Sequence, residues 1–166
     1  MQYIMKAGAL HRQQELLAYI KGGLAGPERK IFSANGDLLL QTDVRRPDAP
    51  PEGSEVLQTH QYLLLDVQGD SRAVADPHCS AAESAAISRV DCAQIQLDGN
   101  AYRLMMQDNC NYRLENGAGE TILQISHRGL TGGWNVDAAT EIPPEIICGM
   151  FVFCRYIEQE NEFRIV

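Results

Sequence analysis

The chain has 166 residues, 45% of them hydrophobic and 22% charged, with a net charge of -8 and a pI near 4.9. A chain of this size is most simply one domain, 1–166, with a core of its own, and the balance is that of a soluble globular protein. The negative charge argues against nonspecific nucleic-acid binding, which depends on neutralising phosphates, and against a default attraction to anionic lipid surfaces, while leaving room for a local basic patch.

The opening residues, MQYIMKAGALHRQQ, carry no charged segment followed by an apolar one and no lipidation motif, so a cytoplasmic protein is expected. The cysteines, Cys79, Cys92, Cys110, Cys148 and Cys154, are odd in number and lack C-x-x-C spacing. That speaks against a disulfide framework or a zinc site; free thiols are expected, with Cys148 and Cys154 acting as small core hydrophobes.

In chain order, Met1 to Lys6 reads as a first strand, with Tyr3 and Met5 on one face and Ile4 on the other. Residues 9–21 suit either a short helix, through Leu10, Leu17 and Ile20, or a strand over Leu16 to Lys21. Gly22-Gly23 and Gly26-Pro27 then break the pattern. From Arg29 a recurrent unit follows: a short apolar or alternating run, a polar turn containing glycine, and a second run. The turns fall at Asn35-Gly36, Gln68-Gly69-Asp70, Asp98-Gly99-Asn100 and Asn116 to Gly119. Asn-Gly is a strong hairpin signal because a type I′ turn needs positive φ at both central residues. Each unit predicts two strands, and further strands are expected near Asn135-Val136 and over Phe163 to Val166. Pro47 to Glu55 reads as a solvated acidic loop, and Asp76 to Ser88 as a loop or a short helical turn. The glycines are unevenly spaced, so the units are not a solenoid or propeller.

Near the C-terminus, Leu130 to Gly133 and Trp134 mark a tight corner, and PPEIICGMFVFCRYI follows from Pro143 to Ile157. No polar side chain lies between Ile146 and Cys154. On a helix such a run is apolar on every face, which suits the centre of a protein or of a membrane. It is well short of the roughly 18 to 20 residues that cross a bilayer. Pro143-Pro144 suits a first helical turn, and Glu141 and Glu145 suit the positive end of the helix dipole. A wholly buried helix needs an enclosure, and a meander of antiparallel strands needs something to cover its face. Each answers the other in a β-barrel of about 10–12 antiparallel strands enclosing a buried hydrophobic C-terminal helix, since about eight strands would be filled by their own side chains. Gly149 fits close packing of that helix against the wall.

The repeated hairpins, the corner and the Ile142-Pro143-Pro144-Glu145-Ile146-Ile147 helix start resemble the tubby C-terminal-like domains. They are closest in pattern to the LURP-one-related proteins, with the phospholipid scramblases further off. The resemblance covers Lys30 to Val166. It implies a barrel of antiparallel strands around a hydrophobic C-terminal helix and, by analogy, binding of a phospholipid headgroup or of a protein partner. This chain departs from the tubby pattern in being acidic. No phosphoinositide-binding Lys/Arg set can be matched in it, and no calcium loop of the D-x-[DN]-x-[DN]-G type is present.

Lys21, Arg29, Lys30, Arg45 and Arg46 are the one local concentration of positive charge, and Arg29, Lys30, Arg45 and Arg46 are the candidate anion- or lipid-binding residues if both pairs flank the open end of the first hairpin. A solvated strand end is the plainer reading of these charges. His78-Cys79 with His60, or Cys110 with His127, would serve as thiolate and base only within hydrogen-bond reach, and no spacing supports that. Asp66, Asp70, Asp76, Asp91 and Asp98 recur near turns, where aspartate bonds its own backbone more often than it binds a cation. Trp134 reads as a buried anchor before a ligand platform. No cofactor or catalytic group is expected. The functional expectation is a non-enzymatic scaffold or interaction module that binds on its outer surface. The rival is a calycin-like carrier or enzyme with an open barrel lined by Ile95, Leu97 and Leu104.

Labelling of Cys148 and Cys154 by a thiol reagent separates these architectures. An enclosed helix predicts protection in buffer and with anionic vesicles, lost in urea. Rapid labelling in native buffer would mean an exposed helix and an open lumen.

Overall fold

The structure, a computed structural model, describes residues 1–22, 26–46, 60–79, 89–108 and 110–164, the last two as backbone. The described residues form twelve strands and one long helix. In chain order the strands are β1 Gln2–Lys6, β2 Ala9–Arg12, β3 Glu15–Gly22, β4 Arg29–Ser33, β5 Leu38–Arg45, β6 Gln61–Leu65, β7 Ser71–His78, β8 Cys92–Leu97, β9 Asn100–Met106, β10 Tyr112–Asn116, β11 Thr121–His127 and β12 Trp134–Ala138; helix α1 is Pro144–Arg164. Each strand pairs antiparallel with its neighbours in sequence, and β1 pairs β12 with Tyr3 opposite Val136, so the sheet closes on itself. Closure leaves no strand edge exposed.

The expected hairpins are present at all four turns, and three share one design. Ser33–Asp37, Asp66–Asp70 and Asn116–Glu120 each close with a backbone N–H donated to the fifth residue's carbonyl, and each places a left-handed glycine fourth (Gly36, Gly69, Gly119). The first residue's side chain accepts the fifth residue's N–H, at 3.2, 2.9 and 3.0 Å. This is a type I turn followed by an αL residue, which inserts a bulge. The register shifts accordingly beside each of them, at Ile31/Phe32, Leu64/Leu65 and Leu114/Glu115. The type I′ geometry expected at Asn35-Gly36 is therefore absent there; positive φ at both central residues occurs at Asp98-Gly99, with values of 48° and 81°.

Residues 9–21, open between helix and strand, are a hairpin, β2 and β3, turning at Gln13-Gln14. Gln13 takes φ 57°, a conformation its residue type does not advertise. Phe163 and Arg164, expected to begin a final strand, instead continue α1. The helix holds on because Tyr156, Ile157 and Asn161 are still buried against the barrel. Asp76 to His78 belong to β7. The expectations for residues 47–55, for 80–88 and for the last two residues fall outside the described residues.

Every residue from Ile146 to Cys154 is buried, and the strands turn Met5, Leu10, Ile31, Leu40, Leu64, Ile95, Leu104 and Leu123 inward. Helix α1 meets the wall around its circumference, on β3 to β6 and on Trp134 of β12. The lumen is thus filled by α1, and Ile95, Leu97 and Leu104, expected to line an open barrel in the rival reading, are buried. The carbonyl of Pro143 accepts N–H groups from Ile146 and Ile147, placing Pro144 at the first helical position as expected. Among the described residues no helix is long and apolar enough to cross a membrane. Arg155, Glu158, Glu160 and Glu162 break the apolar run.

A Cβ on Gly149 would sit 2.9 and 3.1 Å from the two methyls of Leu64, itself fully buried. Gly149→Ala gains about 1 kcal/mol of helix propensity and meets an overpacking cost of about 1–3 kcal/mol. The expected outcome is a modest net loss for alanine and a loss larger by several-fold for Gly149→Leu, read as urea midpoints. Equal stability of the leucine variant and the parent would mean that α1 is not pressed against β6.

Candidate functional site

The strand register sorts the connections by barrel end. The short turns after β2, β4, β6, β8 and β10 lie at one end, where α1 enters, and the connections after β1, β3, β5, β7, β9 and β11 lie at the other. The second half of α1 reaches this second, loop end. There the helix changes from an apolar rod to a polar hub. The Tyr156 hydroxyl meets the Thr42 hydroxyl at 2.7 Å and also donates to the Pro27 carbonyl. The Tyr112 hydroxyl donates to Glu158 at 2.9 Å. The Asn161 side chain donates to the Val90 carbonyl at 2.8 Å and accepts its N–H at 2.9 Å. His60 Nδ1 lies 2.8 Å from Glu160 Oε1. Thr42 and Asn161 are the buried polar side chains among the described residues, and both are satisfied by these ties.

Between these ties opens a cleft of about 500 Å³, lined by Pro27, Val44, Arg46, His60, Tyr62, Tyr156, Gln159 and Glu160. Its walls come from the segment before β4, from β5 and its continuation, from β6 and its lead-in, and from α1. The Tyr62 ring lies 5.2 Å from that of Tyr156 and 5.8 Å from that of Phe153. Burial pushes the Tyr156 phenol up to about 12, so the ring is neutral at physiological pH.

The four predicted cationic residues all lie at the loop end, as the hairpin geometry required. Strand alternation divides them between faces. Arg29 shares the lumen-facing series with Ile31, and its Nη1 donates to the Gly26 and Glu28 carbonyls at 3.1 and 2.8 Å. Arg46 continues the series Leu40, Thr42, Val44 and reaches the cleft. Lys30 and Arg45 point outward and are exposed; Lys30 pairs across with Lys21 and Gln41, and Arg45 donates to Gln61 Oε1 at 2.7 and 3.2 Å. Lys21 lies 5.5 and 5.8 Å from the stacked rings of Tyr19 and Phe32.

The other sequence candidates resolve into local roles. Cys92 donates to the His78 carbonyl, and Cys110 contacts Asp108; neither pair of sulfur and imidazole raised above shares a hydrogen bond among the described residues. Burial pushes the thiols of Cys92 and Cys148 up to about 11 and about 12, and holds Cys154 well above the ordinary range. Asp66 caps its own turn and Asp98 pairs with Arg72 at 2.6 Å, while Asp76 accepts from Gln61 at the opposite end. Among the described residues no three His, Cys, Asp or Glu side chains are placed to hold a metal. Trp134 is an anchor: its ring meets Phe151 edge-on at 4.8 Å and carries Arg155 at 5.6 Å. The cleft as a whole is not legible in the sequence: Arg46 and His60 stand out in separate segments for other chemistry, and Val44 and Tyr156 look unremarkable in theirs.

No family model and no curated protein matches the sequence. A similar solved structure is the X-ray structure of a protein from Arabidopsis thaliana, AT5G01750, at 12% identity and a TM-score of 0.37, with 94% of this chain and 89% of that one covered.

The hub makes a quantitative prediction. Asn161→Ala strips both partners from the buried backbone of Val90, and each orphaned group costs about 1–3 kcal/mol. A loss of about 2–4 kcal/mol in urea denaturation is expected. A loss near zero would mean that water replaces the amide and that the hub does not fix the helix.

Proposed function

We propose that the protein is a cytoplasmic, non-enzymatic interaction module, a divergent relative of the tubby C-terminal-like barrels and nearest in pattern to the LURP-one-related proteins. The closed antiparallel barrel around a C-terminal helix, with Pro143-Pro144-Glu145 at its start, supports that kinship. The observation that carries the functional reading is the filled lumen. A ligand inside would have to displace α1, so binding is left to the outer face and the loop end. Exposed Lys21, Lys30 and Arg45 on neighbouring strands there supply cations, with Asp43 on the same face between Gln41 and Arg45, and Tyr19 and Phe32 beside them supply flat apolar surface. Such a face fits an anionic phospholipid surface. The net charge of -8 is spread over both ends: Asp37, Asp66, Asp70, Asp98, Glu120 and Glu145 lie at the far, turn end, while Glu28, Asp43 and Asp76 share the loop end with the cations. The non-enzymatic part of the reading is supported by thiols held in the protonated, unreactive form.

Co-sedimentation with phosphatidylserine-containing vesicles tests the proposal. Retention is expected at low salt and release at high salt, with neutral phosphatidylcholine vesicles and the Lys30→Gln/Arg45→Gln double variant both giving little retention. Absence of retention at low salt would remove the lipid reading and leave a protein partner as the occupant of this face.

A further inference from the structure

We infer that the cleft at the helix exit is a binding site for a small amphipathic acid, an aromatic or aliphatic carboxylate. Its charged head meets Arg46, and its apolar body lies against Pro27 and Val44, above the buried rings of Tyr62 and Tyr156. The inference rests on the reading above only in keeping the ligand outside the filled lumen.

The unpartnered guanidinium of the cleft, rather than its net charge, selects an anionic group. Its titratable groups apart from the tyrosines are Arg46, His60 and Glu160. The Glu160 carboxylate is already engaged by His60 at 2.8 Å. Arg46 makes no hydrogen bond or ion pair with any described residue, although its position carries it over the cleft. A guanidinium beside apolar walls is the kind of group that fixes the polar end of a ligand in an otherwise apolar pocket. Arg29, the nearest other cation on the lumen-facing series, is committed to the Gly26 and Glu28 carbonyls.

The walls select the rest of the molecule. Pro27 and Val44 present mainly carbon, over the buried rings of Tyr62 and Tyr156, so an inorganic anion would use Arg46 and leave this surface wet. An uncharged hydrocarbon would leave Arg46 without a partner. A molecule with both halves satisfies both surfaces, and about 500 Å³ falls within the size range of small-molecule sites. The walls are also fixed in advance. Tyr156 is held by Thr42 and Pro27, and Tyr62 is wedged between Tyr156 and Phe153, so little ordering accompanies binding. Because Tyr156, Gln159 and Glu160 belong to α1 while Val44 and Tyr62 belong to the wall, the acid bridges helix and barrel, and it binds only the folded chain.

Sodium octanoate is the probe. Calorimetric titration with amide chemical-shift mapping is expected to give saturable binding at one site, with shifts centred on Val44, Tyr62 and Tyr156, and a thermal midpoint that rises with ligand. Arg46→Gln, at an exposed rim position, is expected to keep the ligand-free midpoint and to weaken octanoate about tenfold or more, the size of one charge-assisted hydrogen bond. Octan-1-ol, lacking the charge, and acetate, lacking the body, are each expected to bind at least about tenfold more weakly. No saturable binding, an affinity indifferent to Arg46→Gln, or shifts that map elsewhere would overturn the assignment. The Lys30→Gln/Arg45→Gln variant separates the two readings: it is expected to lose vesicle retention and to keep octanoate affinity, so each reading fails on its own arm.

Discussion

The constraint on which the rest of this structure depends is a helix with no polar face. Ile146 to Cys154 offer only apolar side chains and one glycine, and water is an unfavourable neighbour in every direction. A single sheet covers one side of such a helix, and a sandwich covers two. Covering all of it takes a wall that returns to its own beginning, which is what the pairing of β1 with β12 accomplishes. Closure in turn requires strong bending of short strands. The bulges beside the Ser33, Asp66 and Asn116 turns provide part of it, since an inserted residue bends its strand and increases the local twist. The turn chemistry and the helix composition thus belong to one problem: glycine at the αL position makes the bulge, the bulge curves the wall, and the wall buries the helix.

Enclosure fixes where polarity can appear. Along the apolar part of α1 the facing wall must be apolar too, and only where the helix leaves the barrel can it carry hydroxyl, amide and carboxylate groups. The ties formed there by Tyr156, Glu158, Asn161 and Glu160 reach four different parts of the wall. Hydrophobic burial is non-directional, and a smooth rod could slide or rotate in its sleeve with little change in buried area. The Asn161 to Val90 pair admits one axial position of the helix, because displacing it leaves two buried backbone groups unpaired. Apolar packing therefore holds α1 in the barrel, and the polar collar sets its depth and rotation.

Much of this was legible in the sequence because local chemistry and global fold agree. The four glycine turns, the proline start of α1 and the unbroken apolar run each point to the same barrel. The disagreements have physical causes. The β2–β3 hairpin turns on Gln13-Gln14, and a glutamine at positive φ is stabilised by the pairing on either side of it, with no signature of its own. Phe163 and Arg164 alternate like a strand yet extend the helix, because the burial of Tyr156, Ile157 and Asn161 carries α1 beyond its apolar segment. The first hairpin puts the cationic residues at one end, but sequence spacing alone does not say that alternation sends Arg46 inward and Arg45 outward. The net charge was the least informative number, since it averages an acidic turn end with a loop end where cations and carboxylates intermingle.

The loop end is where these threads meet. A barrel with an empty lumen can place a ligand among its core side chains, and its selectivity is then set by residues that also hold the fold together. Here the core is closed to solvent, so the binding proposed above falls to the rim, where side chains can change without opening the lumen. The cleft is partly an exception. Tyr156 faces Thr42 and Pro27 through its hydroxyl and the cleft through its ring, so one residue serves both the collar and the candidate site. Substitutions at exposed Lys30, Arg45 or Arg46 therefore test the proposed recognition with little effect on stability, whereas any change at Tyr156 acts on the seating of the helix as well. Affinity at the cleft and the stability of α1 in its barrel are linked quantities, because a ligand that touches both the helix and the wall favours the state in which they are together.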